Sequence, residues 1–179
     1  MLAVDPQLAV NRPVSLPALL ISRECRQARQ QARHQCTLLV LTLVVPGSVK
    51  DNALTRRIFN LGWQALCQLL SEQGWPCLQA AILALPTGCE GYLALQADAW
   101  GAKDCAIQLE MRQPIGRLWD IDVLTREGRI LSRRNMGLPE RRCLLCRQPA
   151  KVCARQRRHA SPQLLNEMER IINNTISTG

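Results

Sequence analysis

Two carboxylates separated by a single residue, Asp120 and Asp122, are the strongest candidates for chemistry in this sequence. Residues at i and i+2 of a strand point to the same face, so both carboxylates would project together while Trp119, Ile121 and Val123 face a core. Adjacent carboxylates repel each other unless a cation lies between them, and Mg²⁺ is commonly held by one or two carboxylates together with substrate phosphates. The pair is therefore a candidate magnesium site, with the polar face of a hairpin strand as the alternative.

A second group of candidate ligands lies towards the C-terminal end and consists of Cys143, Cys146, Cys153 and His159. Three thiolates and one imidazole can hold a structural Zn²⁺ tetrahedrally. Free thiols or a redox pair are the alternatives. The other six cysteines are scattered, which is typical of small buried apolar residues rather than of a disulfide framework.

A glycine-containing loop, residues 46–51, links an apolar run at 38–45 to a helical pattern. A loop that leads into a helix N-terminus can hold an anion, and Lys50, Arg56 and Arg57 lie near that end. We therefore consider these three side chains candidate phosphate contacts. The loop lacks the Gly-Lys-Ser/Thr of a P-loop, and an ordinary connecting loop is the alternative.

The net charge of +9 is concentrated in one segment. Residues 126–158 contain 11 basic and 2 acidic side chains, whereas basic and acidic side chains balance over the rest of the chain. Arginine greatly outnumbers lysine, and its planar fork suits bidentate contacts to phosphate and carboxylate. The segment predicts an anion-binding surface, with an ordinary solvated basic face as the alternative.

Hydrophobic periodicity and turn residues predict the elements that would position these groups. We predict helices over 16–33, from a cap at Asp51 or Asn52 to an end at Gly74, and from 161 onward. We predict strands near 38–45, 79–85, 91–96, 105–111, 118–124 and 129–133. Glu110, on the strand predicted at 105–111, could supply a third carboxylate. The element order predicts one α+β domain over residues 1–179: a single mixed β-sheet with flanking helices and a Cys-rich basic loop at about 126–159.

The sequence shows no sign of a membrane segment. The strongest apolar run, residues 38–45, is far shorter than the ~20 residues that span a bilayer as a helix. The first residues lack the basic start and the apolar stretch of a secretory signal. We therefore expect a cytoplasmic protein without membrane association.

Taken together, these stretches resemble the citrate lyase holo-acyl-carrier-protein synthase family, also called the apo-citrate lyase phosphoribosyl-dephospho-CoA transferase family. The resemblance covers about residues 14–168 and is most specific in the run PIGRLWDIDV at 114–123. Further matching stretches are VVPG at 44–47 with Lys50 and Asp51, TRRIFN at 55–60, and RRCLLC at 141–146 with Cys153, Arg155 and His159.

The resemblance implies transfer of a 2′-(5″-triphosphoribosyl)-3′-dephospho-CoA group to a serine of the acyl-carrier subunit of citrate lyase, with release of diphosphate. It implies that Asp120 and Asp122 bind Mg²⁺ on the triphosphate, and that Arg117 and Gly116 contact the donor together with the loop cations named above. The broader nucleotidyltransferase pattern places an Asp-x-Asp pair on a strand after Gly-Ser. Here Gly116 is followed by Arg117, so a nucleotidyltransferase-like sheet stays one option.

Two other functions are consistent with parts of the sequence. A zinc-containing nucleic-acid-binding module fits the basic segment around the cysteines. One Phe and one Tyr leave little aromatic surface for base stacking, so nucleic acid is the less favoured partner. A non-catalytic assembly factor for the lyase would bind the carrier without modifying it.

Overall fold

The computed structural model describes residues 3–15, 17, 19–21, 23–26, 28 and 36–177. Its strands are β1 (Thr37–Leu43), β2 (Cys77–Leu85), β3 (Gly88–Leu95), β4 (Trp119–Leu124) and β5 (Ile130–Leu131). Its helices are α1 (Ala53–Gln73), α2 (Ala99–Arg112), α3 (Ala150–Gln156) and α4 (Ser161–Ser177). Among the described residues, no helix is both long and apolar enough to cross a bilayer.

The five strands form one sheet in the order β2-β3-β1-β4-β5. From β1 to β4 the chain runs β-α-β-β-α-β, which is the ferredoxin-like or split β-α-β arrangement. The predicted α+β class, with one sheet and flanking helices, is confirmed. Every neighbouring pair is antiparallel, so the sheet is not mixed. The reason is that β3 inserts between β1 and β2, which the α1 crossover would otherwise make parallel neighbours.

The ends of α1 follow the local signals in the sequence. Asn52 accepts a hydrogen bond from the backbone N–H of Thr55 at 2.9 Å and so caps the first turn. Gly74 ends the helix with a φ of 64°, in the left-handed region that glycine adopts without strain. The predicted hairpin after β4 is also present, although its second strand shortens to Ile130–Leu131.

The strand predicted over 105–111 is wrong, because these residues belong to α2. Ile107, Leu109 and Met111 alternate with the polar residues Gln108 and Glu110, and that short run imitates the two-residue period of a strand. Over the longer window, buried residues recur at helical spacing from Ala99 onward. Asp98 accepts a hydrogen bond from the N–H of Gly101 at 2.7 Å and caps the helix. Glu110 is therefore a helix residue, not a strand residue.

The predicted first helix lies only partly within the described residues. Residues 17, 19–21, 23–26 and 28 are helical, and the remaining positions of the predicted range 16–33 lie outside the described residues. The described part is joined to the sheet through Arg26, which forms an ion pair with the buried Glu90 of β3. This N-terminal helical segment therefore contributes side chains to one face of the sheet.

The two faces of the sheet carry different side chains. Leu39 and Leu41 of β1 belong to the main core, together with Phe59 and Trp63 of α1 and Ile121 of β4. Leu38, Val40, Tyr92, Ala94 and Leu124 form a smaller cluster on the opposite face. Because side chains alternate along a strand, the even-numbered residues of β4 lie on this second face.

Two glycines allow the close packing that positions the start of β4. Trp119 lies against Gly62 of α1, where an added Cβ would lie 2.8 Å from the indole Nε1. The same indole N–H donates to the carbonyl of Ile58 at 3.1 Å. Gly116 lies against the last turn of α2, where an added Cβ would come within 2.5 Å of the Glu110 carbonyl oxygen. These contacts fix the position of the strand that carries the aspartate pair.

Candidate functional site

Asp120 and Asp122 project from β4 on the face opposite the main helical core. Both are partly exposed, whereas Trp119, Ile121 and Val123 between and around them are buried. In the central strand, Asp120 pairs with Thr42 and Asp122 pairs with Val40. The Asp120 side chain is 41% exposed, so it is open to a ligand from solvent.

The two aspartates form a region of concentrated negative charge. Burial raises the pKa of Asp122, and the neighbouring charge of Asp120 raises it further, against the opposing effect of nearby Lys103. Within the described part of the chain, the Asp122 carboxylate has no hydrogen-bond partner. A cation placed between the two carboxylates would offset their repulsion and favour the ionised form of Asp122.

Charged side chains form hydrogen bonds to the main chain along the first half of the outer edge of β4, where the described residues include no neighbouring strand. β5 pairs only with Val123 and Leu124, which leaves the first half of that edge open. The N–H of Ile121 donates to Glu110 Oε1 at 2.9 Å, and its carbonyl accepts from Lys103 Nζ at 2.9 Å. Arg141 donates to the carbonyl of Trp119 at 2.6 Å. These three bonds satisfy main-chain groups that would otherwise be unpaired.

Arg141 connects this edge to the aspartate pair. It forms an ion pair with Glu110, and its Nη2 lies 3.6 Å from Asp120 Oδ1. Arg133 adds a second cation 3.3 Å from Glu110. Burial raises the pKa of Glu110, while the charge of Arg141 lowers it. Glu110 thus accepts a hydrogen bond from the edge of β4 and forms ion pairs with two arginines. It is not a third carboxylate on a strand beside the two aspartates.

A pocket of about 260 Å³ opens beside Asp120. Its polar lining includes Arg23, Lys50 and Thr87. Its apolar lining comes from the end of β1, from the next two residues, and from Leu19 and Leu20 of the N-terminal helical segment. Lys50 Nζ donates to the carbonyl of Val45 at 2.6 Å. Burial lowers the pKa of Lys50, and the nearby charge of Arg23 lowers it further.

The other predicted donor contacts lie elsewhere. Arg56 is 4% exposed and donates through all three of its nitrogens, twice to Asp51 and once to the carbonyl of Asp5. Arg57 is exposed on α1. Arg117 donates to the carbonyl of Cys143 at 2.6 Å, and Gly116 is buried against α2. Of the predicted set, only Lys50 lines the pocket with Asp120.

Arg23 is a pocket residue that the sequence did not single out. It lies in the arginine-rich stretch predicted as the first helix. The sequence therefore gives its charge, but not the residues that lie beside it in the fold. Arg23 lines the same pocket as Asp120, a residue about a hundred positions away in the chain, and no local pattern encodes such a grouping.

The three clustered cysteines and His159 come together in space. Their ligand atoms all lie within 4.8 Å of one another. Cys146 Sγ lies 3.5 Å from Cys153 Sγ and 3.4 Å from His159 Nε2. The four residues are a candidate metal-binding cluster, hereafter the Cys₃His cluster.

The backbone around the Cys₃His cluster favours thiolate at its first ligand. Burial by itself raises the pKa of Cys143, but hydrogen bonds from the backbone N–H groups of Leu145 and Cys146, together with those from the sulfurs of Cys153 and Cys146, lower it below the ordinary cysteine value. A bridge between Arg142 and Pro149 closes the loop, and the N–H of Cys143 donates to the carbonyl of Gln148 at 2.7 Å. The loop is thus folded so that backbone donors face the sulfur.

Comparison with known proteins gives consistent matches along the chain. The family model described as apo-citrate lyase phosphoribosyl-dephospho-CoA transferase matches residues 14–175. A protein of Escherichia coli O7:K1 with that name is 52% identical over 171 residues, which cover 94% of this chain and 93% of the relative. Proteins with the same name from Escherichia coli O157:H7 and Shigella boydii serotype 18 match with the same identity and coverage.

We predict that Asp122→Asn stabilises the metal-free protein at neutral pH. The folded-state pKa of Asp122 is raised, so wild-type stability falls as pH rises from the ordinary aspartate value of 3.8 through that raised pKa. The gain in melting temperature should be on the order of a few °C above this window and should vanish near pH 4. Melting curves in a chelator between pH 4 and pH 8 measure it.

The matched control is Asp104→Asn, which removes an exposed aspartate of α2 far along the chain from the pair. A gain at Asp122 that persists at pH 4, or no gain at neutral pH, would contradict the prediction.

Proposed function

The chain belongs to the apo-citrate lyase phosphoribosyl-dephospho-CoA transferase family, and we propose that it attaches the 2′-(5″-triphosphoribosyl)-3′-dephospho-CoA group to a serine of the lyase's acyl-carrier subunit. The family match over residues 14–175 carries the proposal. The whole chain acts as one transferase domain in the cytoplasm. The exposed carboxylate pair beside a cationic pocket supports a reaction on a polyphosphate donor.

In the transfer, the oxygen of the carrier's serine attacks the α-phosphorus of the triphosphate. The new phosphodiester bond forms as the bond to the β-phosphate oxygen breaks, and diphosphate leaves with that electron pair. The serine proton is released in the same exchange. Little covalent chemistry falls to the protein in such a reaction, so its side chains act by positioning and by stabilising charge.

Asp120 and Asp122 would hold Mg²⁺, which would neutralise charge on the triphosphate oxygens when bound. The geometry fits this ion, because the two carboxylates share one strand face and one of them is open to solvent. Arg141, close to Asp120, keeps that carboxylate oriented from the other side.

The residues predicted to contact the donor differ in their surroundings. Lys50 lines the pocket, where it would reach phosphate oxygens. Arg117 is exposed just before β4 but does not line the pocket, so it would contact the donor only from outside it. Arg57, exposed on α1, is a further candidate. Arg56 has its donors bonded to Asp51 and Asp5, so its role is to hold the loop before α1. Gly116 acts through the close approach that places β4.

We further propose that the Cys₃His cluster binds a structural Zn²⁺. Tetrahedral zinc with Zn–S bonds of ~2.3 Å separates two sulfurs by roughly 3.8 Å. The 3.5 Å between the sulfurs of Cys146 and Cys153 is close to that value. The cluster would hold the loop from which Arg141 reaches the edge of β4.

The basic segment, residues 126–158, supplies the surface for the carrier. Nine of its basic side chains are exposed, while Arg133 and Arg141 turn inward to Glu110. An acidic carrier would be attracted to the exposed positive charge, mainly through a faster association that salt weakens.

We predict that Asp120→Asn and Asp122→Asn each lower the transfer rate by about 100-fold or more. Each change keeps the side-chain shape and removes a charge that the metal needs, and metal-based stabilisation of the transition state supplies several kcal/mol. The measurement is the intact mass of the apo-carrier over time with donor and Mg²⁺. Asp104→Asn, on the exposed side of α2, should transfer at the wild-type rate.

A near-normal rate in either variant would remove that residue from the metal site. Carrier binding by the wild-type chain without any change in the carrier's mass would contradict the transferase proposal and favour an assembly factor. Salt-dependent binding to random oligonucleotides, without carrier modification, would favour the nucleic-acid-binding alternative.

We predict one zinc per chain, lost in Cys153→Ser. The substitution removes one of four ligands, and the loop should then lose its fixed geometry, with a lower melting temperature. Metal analysis of protein purified without a His-tag gives the content. Cys77→Ser is the matched control, because Cys77 is an exposed thiol at the start of β2. Active wild-type protein with less than about a tenth of an equivalent of zinc would refute the assignment.

We predict that the double variant Arg134→Glu/Arg155→Glu raises the carrier KM about tenfold at low salt and leaves the donor KM within about twofold. Both side chains are exposed in the basic segment. Arg12→Glu/Arg112→Glu makes the same change in net charge at exposed positions outside the segment and should leave both constants unchanged. Equal effects of the two variants on carrier kinetics would show that only overall charge matters.

A further inference from the structure

Two cations, Arg23 and Lys50, line the pocket beside Asp120. Arg23 Nε is buried and has no hydrogen-bond partner among the described residues. Its nearest carboxylate oxygen, on Glu90, lies 4.0 Å away. Glu90 already accepts hydrogen bonds from Arg26 and from the hydroxyl of Tyr92 at 2.5 Å. The charge of Glu90 is therefore shared, and Arg23, which lines the pocket, retains an unused donor.

Lys50 presents a second positive charge in the same space. Its ammonium group has three N–H donors, and the only bond described for it is to the Val45 carbonyl. Burial lowers the pKa of Lys50, and the nearby positive charge of Arg23 lowers it further. An anion that bridges the two side chains would relieve this repulsion. Arginine and lysine are also the side chains that bind phosphate oxygens most strongly.

The dimensions of the pocket limit which part of a donor it can hold. Its volume of about 260 Å³ is below the ~300–1,000 Å³ typical of sites that enclose a whole ligand. Asp120 lies on its lining, so a phosphate group inside would approach the aspartate pair from the side of the two cations. A small anion therefore fits between the aspartate and the cations, with the rest of the donor outside.

We propose that Arg23 and Lys50 form the subsite for diphosphate, the group that leaves the triphosphate donor. This inference rests on the transferase function proposed above. As the bond between the α-phosphorus and the bridging oxygen breaks, the electron pair goes to that oxygen, and negative charge grows on the departing diphosphate. Arg23 and Lys50 would donate N–H bonds to its oxygens at that moment. They are then leaving-group contacts, on the opposite side of the reacting phosphorus from the carrier's serine.

The test is direct binding of inorganic diphosphate to the intact protein by calorimetry at saturating Mg²⁺. Arg23→Gln and Lys50→Met should each weaken binding by about tenfold or more, since each removes a charge-assisted contact. Arg23→Lys should lose less, because it keeps the charge but not the planar fork. Arg112→Gln removes an exposed cation at the end of α2 and should bind diphosphate as the wild type does.

Separate measurements distinguish a loss of folding from a loss of diphosphate binding. Melting curves identify any variant that fails to fold, and the second cation then tests the same subsite from the other side of the pocket. In transfer assays, product inhibition by diphosphate should weaken in parallel with direct binding. Wild-type diphosphate affinity in both folded variants would overturn the subsite, even if transfer occurs normally. Diphosphate binding that depends on Arg23 and Lys50 in a chain that never modifies the carrier would support the subsite and refute the transferase function.

Discussion

Among the described residues, half of the outer edge of β4 has no neighbouring strand, and buried or half-buried charged side chains bond its main chain in place of one. Lys103 and Glu110 reach this edge from α2, and Arg141 reaches it from the loop of the Cys₃His cluster. Because the aspartate pair lies on the same strand, its position depends on these bonds. They also close an open sheet edge that could otherwise pair with another chain.

The side chains around this edge of β4 carry equal numbers of positive and negative charges, which explains how several charged groups can be buried there. Three cations, from Lys103, Arg133 and Arg141, accompany three carboxylates, from Glu110 and the aspartate pair. Burial shifts the pKa of Lys103 and of Glu110 towards their neutral forms, which shows that desolvation opposes the charges. Lys103, Glu110, Arg133 and Arg141 are held by hydrogen bonds to main-chain or side-chain groups, and that condition makes buried ions tolerable. Added magnesium would upset the balance, and donor phosphates would restore it.

The features of the fold that can be predicted from the sequence are those that depend on interactions between residues close together in the chain. The cap at Asn52, the end at Gly74 and the alternation along β4 each depend on neighbours a few residues away, and all appear as predicted. α2 was misread because a short run of alternating residues hides its helical period. The pairings of Arg23 with the pocket and of Glu110 with β4 join distant segments, so only the folded chain reveals them.

β1 is both the first strand to be synthesised and the centre of the finished sheet. Its residues Leu38, Leu39, Val40 and Leu41 are almost fully buried, yet β3 and β4, which cover its two edges, come much later in the chain. At about 5–20 residues per second, translation leaves this apolar strand without partners for several seconds. The emerging chain therefore has an interval of exposure to aggregation, during which the protection of β1 falls to the ribosome surface, to chaperones or to α1 as it forms.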